Sequence, residues 1–373
     1  MSPELEIQLI AVIVAVACSL PGVFLVLRKM AMMSDAITHT ILLGIVIAFF
    51  MVNSLTSPLL IVGAAIMGVF TVFLTEMLNN TKLVSEDSAI GVVFPLLFSI
   101  AIIIISRYAG SVHLDTDSVL LGELAYAPFN RMIVFGQDIG PKAIYSMGII
   151  LIINLVFIIV FFKELKIATF DPALATVLGF SPIVIHYSLM TMVSITAVGA
   201  FESVGSILVI AFMIGPPVTA YLLTDNLKNM ILLSGVIGAI NGIFGYQLAS
   251  ALDVSIAGSM ALMTGIVFLL VFVFAPKRGF LTTFRRRRFQ KIDFAEKSLL
   301  FHIFNHEGKQ EEALESGVNT IEDHLNWDRH FLKLIIKGLK DKKKIYVEDD
   351  IIKLTDLGRE YAIKSYEEIV SEF

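Results

Sequence analysis

Residues 22–44 read GVFLVLRKMAMMSDAITHTILLG. An apolar run stops at Arg28–Lys29 and another starts a few residues later, so the stretch is a turn between two helices that need an apolar solvent. The second run contains Asp35 and His39, which on a helix share one face about one turn apart. Ionisable groups in a membrane segment are costly, so they face a partner, a cavity or a transported ion. A carboxylate with an imidazole is also a ligand pair for a divalent transition metal. The alternative is a helix start capped by Ser34 or Asp35, with an interfacial histidine.

Similar runs recur through the first three quarters of the 373 residues. The chain is 56% hydrophobic and 16% charged, with a mean hydropathy of +0.82, whereas a water-soluble domain averages about 25% charged. Lipid is therefore the solvent of most of it. Runs close to the roughly 20 residues that cross a bilayer lie at 7–27, 36–53, 57–79, 88–107, 145–162, 183–200, 204–223, 229–251 and 258–276. The polar gap at Phe201–Gly205 either breaks a helix or turns it back, which makes the count eight or nine. The first run is flanked by Glu4 and Glu6, where a signal peptide would be basic, and is expected to be a retained helix. The single cysteine, Cys18, excludes a disulfide framework and a thiolate zinc site. With nine spans, Arg28/Lys29, Lys82, Lys163/Lys166, Lys228 and Lys277/Arg278 fall on one side, which is expected to be cytoplasmic and to carry the C-terminus.

Composition changes after Pro276. Arg285–Arg288 is a run of four arginines, read as a headgroup-level anchor within a basic linker, 280–292. From Lys291 onward there are 13 Lys/Arg against 18 Asp/Glu. This tail, 293–373, still reads as folded. Phe294–His306 has helical spacing, and Thr320–Leu325 is a short helix opened by Asn319 or Thr320. A third helix follows Asn326–Asp328. Two β-rich pieces, Lys344–Val347 and Ile351–Leu354, flank the turn Glu348–Asp350, and Thr355 caps a last helix. That order is expected to give a small cytoplasmic winged helix-turn-helix domain, similar to the N-terminal domain of iron-dependent repressors. The acidic balance weighs against nucleic acid as its partner, since DNA readers neutralise phosphates, and favours a regulatory or protein-contacting role. His302, His306, His324 and His330 are surface histidines or a regulatory metal site.

In the membrane part, residues 1–279, several segments line up. They are S-D-A-I-T-H at Ser34–His39, D-S-A-I-G at Asp87–Gly91, H-L-D-T-D-S-V-L-L-G-E-L at His113–Leu124 and F-K-E-L-K-I-A-T-F-D-P-A-L-A-T-V-L-G at Phe162–Gly179. F-E-S-V-G-S-I-L-V at Phe201–Val209, P-P-V-T-A-Y-L-L-T at Pro216–Thr224 and F-A-P-K-R-G at Phe274–Gly279 complete the series. In order and spacing the chain resembles the membrane subunit of ABC-type divalent-metal importers, the manganese/zinc/iron permease family. The resemblance implies an all-α polytopic permease of a bacterial cytoplasmic membrane. It would pass Mn2+, with Zn2+ or Fe2+ as alternatives, and hold no permanent cofactor.

The resemblance makes Asp35 and His39 metal-coordinating or gating residues of the path. Ligation needs neutral imidazole, so capture weakens on acidification. Glu202 is a second pore carboxylate, a helix-break cap, or a partner for a basic group. His113, Asp115 and Asp117 guide cations on the outer side or are simply solvated. Lys163–Pro182 is a polar island in which Asp171 precedes Pro172 as a natural helix start. In the family such a helix docks into the ATPase, which gives Phe170, Asp171, Pro172, Ala175, Leu178 and Gly179 a coupling role. No Walker A sequence occurs, so ATP is expected to be handled by a separate ABC ATPase subunit. An extracytoplasmic metal-binding protein and a second permease protomer are the other implied partners. Two rival readings are a membrane-anchored winged-helix regulator or metal sensor, and an ion-driven secondary transporter.

Overall fold

The computed structural model describes residues 2–54, 57, 59–108, 124–134, 137–318, 320–325 and 327–371. The chain divides into two units, Met1–Gly279 and Phe280–Phe373.

Among the described residues the first unit has nine helices long and apolar enough to cross a membrane. They are α1 (Pro3–Leu27), α2 (Ala31–Val52), α3 (Leu59–Asn79), α4 (Glu86–Tyr108), α5 (Lys142–Val160), α8 (Pro182–Val204), α9 (Ser206–Leu223), α10 (Leu227–Leu252) and α11 (Ile256–Phe274). Two short helices, α6 (Phe162–Phe170) and α7 (Pro172–Val177), lie between α5 and α8. Local chemistry marks the ends. Ser181 precedes Pro182, and Asn226 accepts from the Lys228 amide at 2.9 Å, while Asn53 and Asp253 close α2 and α10 in left-handed conformation. The open choice of eight or nine spans resolves at Gly205, the only residue between α8 and α9, with φ +78°. A side chain resists that backbone conformation; glycine does not.

The core forms around α1, which is buried almost throughout from Ile10 to Leu25 and packs against α5, α8, α9 and α10. Lipid offers no hydrophobic drive between helices, so close approach through small residues carries the packing. At Gly22 of α1 a Cβ would stand 1.9 Å from the Met213 carbonyl oxygen of α9, and at Gly44 of α2 one would stand 2.4 Å from the Gly63 oxygen of α3. Polar bonds add specificity. Asn154 of α5, fully buried, donates to the Ala17 carbonyl at 3.1 Å and to the Thr196 hydroxyl at 2.7 Å, tying α5 to α1 and α8. Elsewhere α5 turns Ile149, Ile152, Val156, Ile159 and Val160 outward, a surface suited to lipid and not to water.

A small hairpin that the sequence pattern had not suggested, β1 (Arg131–Val134) with β2 (Gln137–Pro141), lies at the end of the bundle where α1 starts. Arg131 pairs with Asp138 across it and reaches the buried Glu6 at 3.3 Å, offsetting that carboxylate's desolvation.

The second unit contains α12 (Phe280–His306), α13 (Glu312–Glu315), α14 (Ile321–Leu325), α15 (Arg329–Asp341), β3 (Ile345–Glu348), β4 (Ile351–Leu354) and α16 (Asp356–Ser371). Residues 280–292, expected to be a basic linker, are helical and form the first half of α12. Charge placed the arginines at a surface, but arginine is also a good helix former. Ala295, Leu299, Leu300 and Ile303 of α12 pack with Ile335 and Leu339 of α15 and with Ile352 and Leu354 of β4 in one apolar core. The β3–β4 hairpin turns on Asp349 and Asp350, both at positive φ, as a two-residue hairpin loop requires. Thr355 accepts from the Gly358 amide at 3.1 Å and so starts α16.

Candidate functional site

The helix carrying Asp35 and His39 starts at Ala31, and neither Ser34 nor Asp35 caps it. The position before it is Met30, with no side-chain cap, and the Ser34 hydroxyl donates back to the Ala31 carbonyl at 2.8 Å. The capping alternative therefore fails, and the pair lies within the span. His39 Nε2 is 3.4 Å from Asp35 Oδ1. That is too long for a good charge-assisted hydrogen bond, but an ion about 2.0–2.2 Å from each atom spans it. Both side chains are partly open, at 22% and 33% exposure, so the edge they present is accessible. The imidazole is held between aromatic rings of α4, with Phe94 at 5.0 Å and Phe98 at 5.7 Å between centroids. His39 lies roughly 12 Å along α2 at 1.5 Å per residue. With two protein ligands the pair can hold a cation briefly and release it.

Glu202 is in the last turn of α8, where it accepts from Lys142 Nζ at 3.0 Å. Counted along α8 it is about 24 Å from His186, which stands level with the start of α2, so it lies well beyond His39. The structure gives Glu202 a basic partner and does not gather it with Asp35 and His39. His113, Asp115 and Asp117 lie outside the described residues.

The Lys163–Pro182 island forms α6 and α7. Asp171 has left helical geometry at φ −148°, and its Oδ1 accepts from the Leu174 amide at 2.9 Å. Pro172 follows as the first helical residue, and Gly179 at φ +86° ends the motif. Ala175 is buried, whereas Phe170, Leu174, Val177 and Leu178 are exposed. A loop that merely connected two spans would have no reason to show four large apolar side chains on and beside a capped helix. A cleft of about 300 Å3 beside it is lined by Phe162, Lys166, Phe170, Asp225, Leu227 and Lys228. Asp225, near Lys277 and Arg278 at 3.2 and 2.6 Å, has its carboxyl held below the usual range, first by the Lys277 hydrogen bond.

One cluster was not anticipated. His186 Nε2 is 2.7 Å from Glu76 Oε1, and the Tyr187 hydroxyl donates to Glu76 Oε2 at 2.6 Å. Arg28 Nη1 is 3.2 Å from His186 Nδ1, and Arg28 Nε donates to Thr169 of α6 at 3.1 Å. Arginine has only donors, so His186 accepts at Nδ1 and carries its proton on Nε2, the nitrogen beside the Glu76 carboxylate. These groups line a cleft of about 740 Å3 that includes Ala168, Thr169 and Pro172. They join the start of α8 and the end of α3 to the α6–α7 motif. The available signal was an acid near the end of one apolar run and a histidine near the start of another.

Comparison with known proteins bears on this arrangement. Residues 5–275 match the sequence profile of the ABC 3 transport family. The chain is 47% identical over 354 residues to the zinc transport system membrane protein TroD of Treponema pallidum (strain Nichols), covering 95% of this chain and 96% of that one. It is 49% identical over 282 residues to the manganese transport system membrane protein MntD of Bacillus subtilis (strain 168), covering 76% and 95%. Among solved structures, PsaBC from Streptococcus pneumoniae in complex with Fab superposes with a TM-score of 0.63 at 28% identity, covering 76% of this chain and 95% of the other.

Proposed function

The chain belongs to the ABC 3 transport family, and we propose that it is the membrane-spanning subunit of an ATP-driven importer of divalent metal cations, chiefly Mn2+, with Zn2+ or Fe2+ as alternative cargo. The observation that carries this reading is the Asp35–His39 pair, a carboxylate and an imidazole 3.4 Å apart in a membrane helix of a chain whose relatives are named for zinc and manganese transport. The protein is a transporter subunit and not an enzyme. Bond chemistry belongs to a separate ABC ATPase, which seats on the exposed apolar residues around the α7 cap: Phe170, Leu174, Val177 and Leu178. Closure of that ATPase reaches the bundle through α6, Arg28 and His186. A second permease protomer encloses the path, and a metal-binding protein delivers the ion at the hairpin end.

Orientation follows from charge. Arg28, Lys166, Lys228, Lys277 and Arg278 gather around the α6–α7 end, so that end and the C-terminus face the cytoplasm. We read the second unit as a winged helix, a reading supported by its order of helices followed by the β3–β4 hairpin and α16. Its acidic balance suits a regulatory or protein-contacting role better than DNA reading. A regulator that used the helices only as an anchor would need no α6–α7 motif.

The test is uptake of radiolabelled Mn2+, Zn2+ and Fe2+, each competed by the other two, in cells carrying the chain with its partners. Asp35→Ala and His39→Ala are expected to abolish uptake, and full uptake in both would refute the site. Uptake that persists when the ATPase is inactivated would refute the ATP-driven mechanism.

A further inference from the structure

We infer that the second unit carries a transition-metal site of its own, built by His302 and His306 of α12, Glu315 at the end of α13 and His324 in α14. One ring nitrogen each from His302 and His306 and one carboxylate oxygen of Glu315 lie within 4.8 Å of one another. His324 Nδ1 is 3.3 Å from Glu315 Oε2, on the same side of the carboxylate as His302 Nε2 at 3.5 Å. The rings crowd together, with centroids 4.9 Å apart for His302 and His306 and 6.3 Å apart for His302 and His324. Three imidazoles and one carboxylate have thus been brought together from three separate helices.

His302 Nε2 is 3.0 Å from the Glu315 carbonyl oxygen, which can only accept, so without metal the proton is on Nε2 and the ring's lone pair is on Nδ1. A ligating histidine typically has its other ring N–H held by a carbonyl in this way. His306 Nδ1 is buried and has no hydrogen-bond partner, a cost that a bound cation would relieve. Glu315 is the shared acceptor, yet neither of its histidine contacts is as short as the 2.7–2.9 Å of a charge-assisted bond. Closing His302, His306 and Glu315 on an ion at about 2.0–2.1 Å from each ligand needs separations near 3.4 Å, a shortening of up to about 1.4 Å that side-chain rotation supplies, and His324 joins from its 3.3 Å contact with Glu315.

A nitrogen-rich set selects the metal. Three imidazoles exclude Mg2+ and Ca2+ and favour Zn2+ over Fe2+, and Fe2+ over Mn2+. Occupancy would pin the end of α12 to α13 and α14 across the turn 307–311 and the segment 316–320. The site lies outside the membrane unit, so it does not depend on the transport reading.

The test uses the full-length chain in detergent, stripped of metal, with Asp35→Ala and His39→Ala so that the transport pair contributes nothing. Co2+ is titrated and read by its visible d–d absorption. One equivalent is expected to bind, to be displaced by stoichiometric Zn2+, and to be unaffected by excess Mg2+. His306→Gln and Glu315→Gln should each weaken it by at least ~10-fold, the lower bound for losing even an outer-shell partner. His324→Gln changes the most exposed of the four and serves as the arm that leaves the core intact, with the same direction expected. His330→Gln, outside the cluster, should change nothing. Absence of a Co2+ band in the parent, or a band unaltered in all three cluster variants, would overturn the site.

Discussion

Replacing Asp171 by alanine tests the proposed coupling motif at its weakest point. α7 has six residues, far fewer than the 12–15 or so an isolated helix needs, so its shape depends on tertiary contacts and on the cap. Removing the 2.9 Å bond from the Leu174 amide to Asp171 costs about 1 kcal/mol, within a range of about 0.5–2. At 25 °C that lowers the helical fraction relative to the frayed form about fivefold. The frayed form no longer presents Leu174, Val177 and Leu178 as one apolar knob. In proteoliposomes containing the complete importer, metal transported per ATP hydrolysed should therefore fall several-fold, while basal ATP hydrolysis continues. Asp171→Asn and Asp171→Ser keep a capping oxygen and should stay within about twofold of the parent, since Asn and Ser cap nearly as well as Asp. The contrast separates a cap from a charge. If Asp171→Asn fails as badly as Asp171→Ala, the carboxylate itself meets a partner. If Asp171→Ala transports normally, the coupling argument is wrong.

Three further outcomes are expected. Gly22→Ala would put a Cβ 1.9 Å from a backbone oxygen, so α1 and α9 must part by over 1 Å; the cost, about 1–3 kcal/mol, should appear as a lower melting temperature in detergent, and a parent-like melt would refute the close packing. Asn154→Leu removes two interhelical hydrogen bonds, each worth about 0.6 and at most about 1.7 kcal/mol in a membrane protein, so denaturant unfolding should show a loss of roughly 1–3 kcal/mol; equal or greater stability would refute the clamp. Asp225, whose carboxyl is held below its ordinary value by Lys277 and Arg278, stabilises when ionised. The contribution is complete above the unfolded value of about 3.9 and disappears as pH falls through the lower folded one. Asp225→Asn should thus melt below the parent at pH 7, with the gap narrowing as pH falls below about 3.9, and a gap that survives strong acid would contradict the pairing.

Most of the membrane architecture was legible because lipid demands it. Long apolar runs have few alternatives to a spanning helix, and the positions of Arg28, Lys166 and Lys277 already ordered the ends. The helix start at Pro172 was legible from two adjacent residues, since Asp171 and Pro172 act locally. Gly205 marked the limit. A one-residue reversal leaves no polar loop, so composition could not separate a kink from a turn. The Glu76–His186–Tyr187 cluster was hidden for a different reason. Glu76 is over a hundred positions from His186 and Tyr187 and meets them only because α3 packs on α8. Likewise the i, i+4 spacing of His302 and His306 was visible, whereas the approach of Glu315 and His324 depends on how a loop closes. Arg285–Arg288 misled because charge reports on solvent and says little about backbone. The four- and five-residue strands of the β1–β2 hairpin were too short to show a period.

The one-residue junction at Gly205 has a mechanical consequence. A joint with a single link has no slack, so α8 cannot move at its far end without carrying the start of α9 with it. At its near end α8 rests on α6 and α7. If the capped helix receives a push, the chain would work as a crank, with a foot at that helix, a shaft in α8 and an elbow at Gly205. Beyond the elbow, the Met213 carbonyl on α9 bears on Gly22 of α1, so a push at the foot would arrive as a swing at the centre of the bundle.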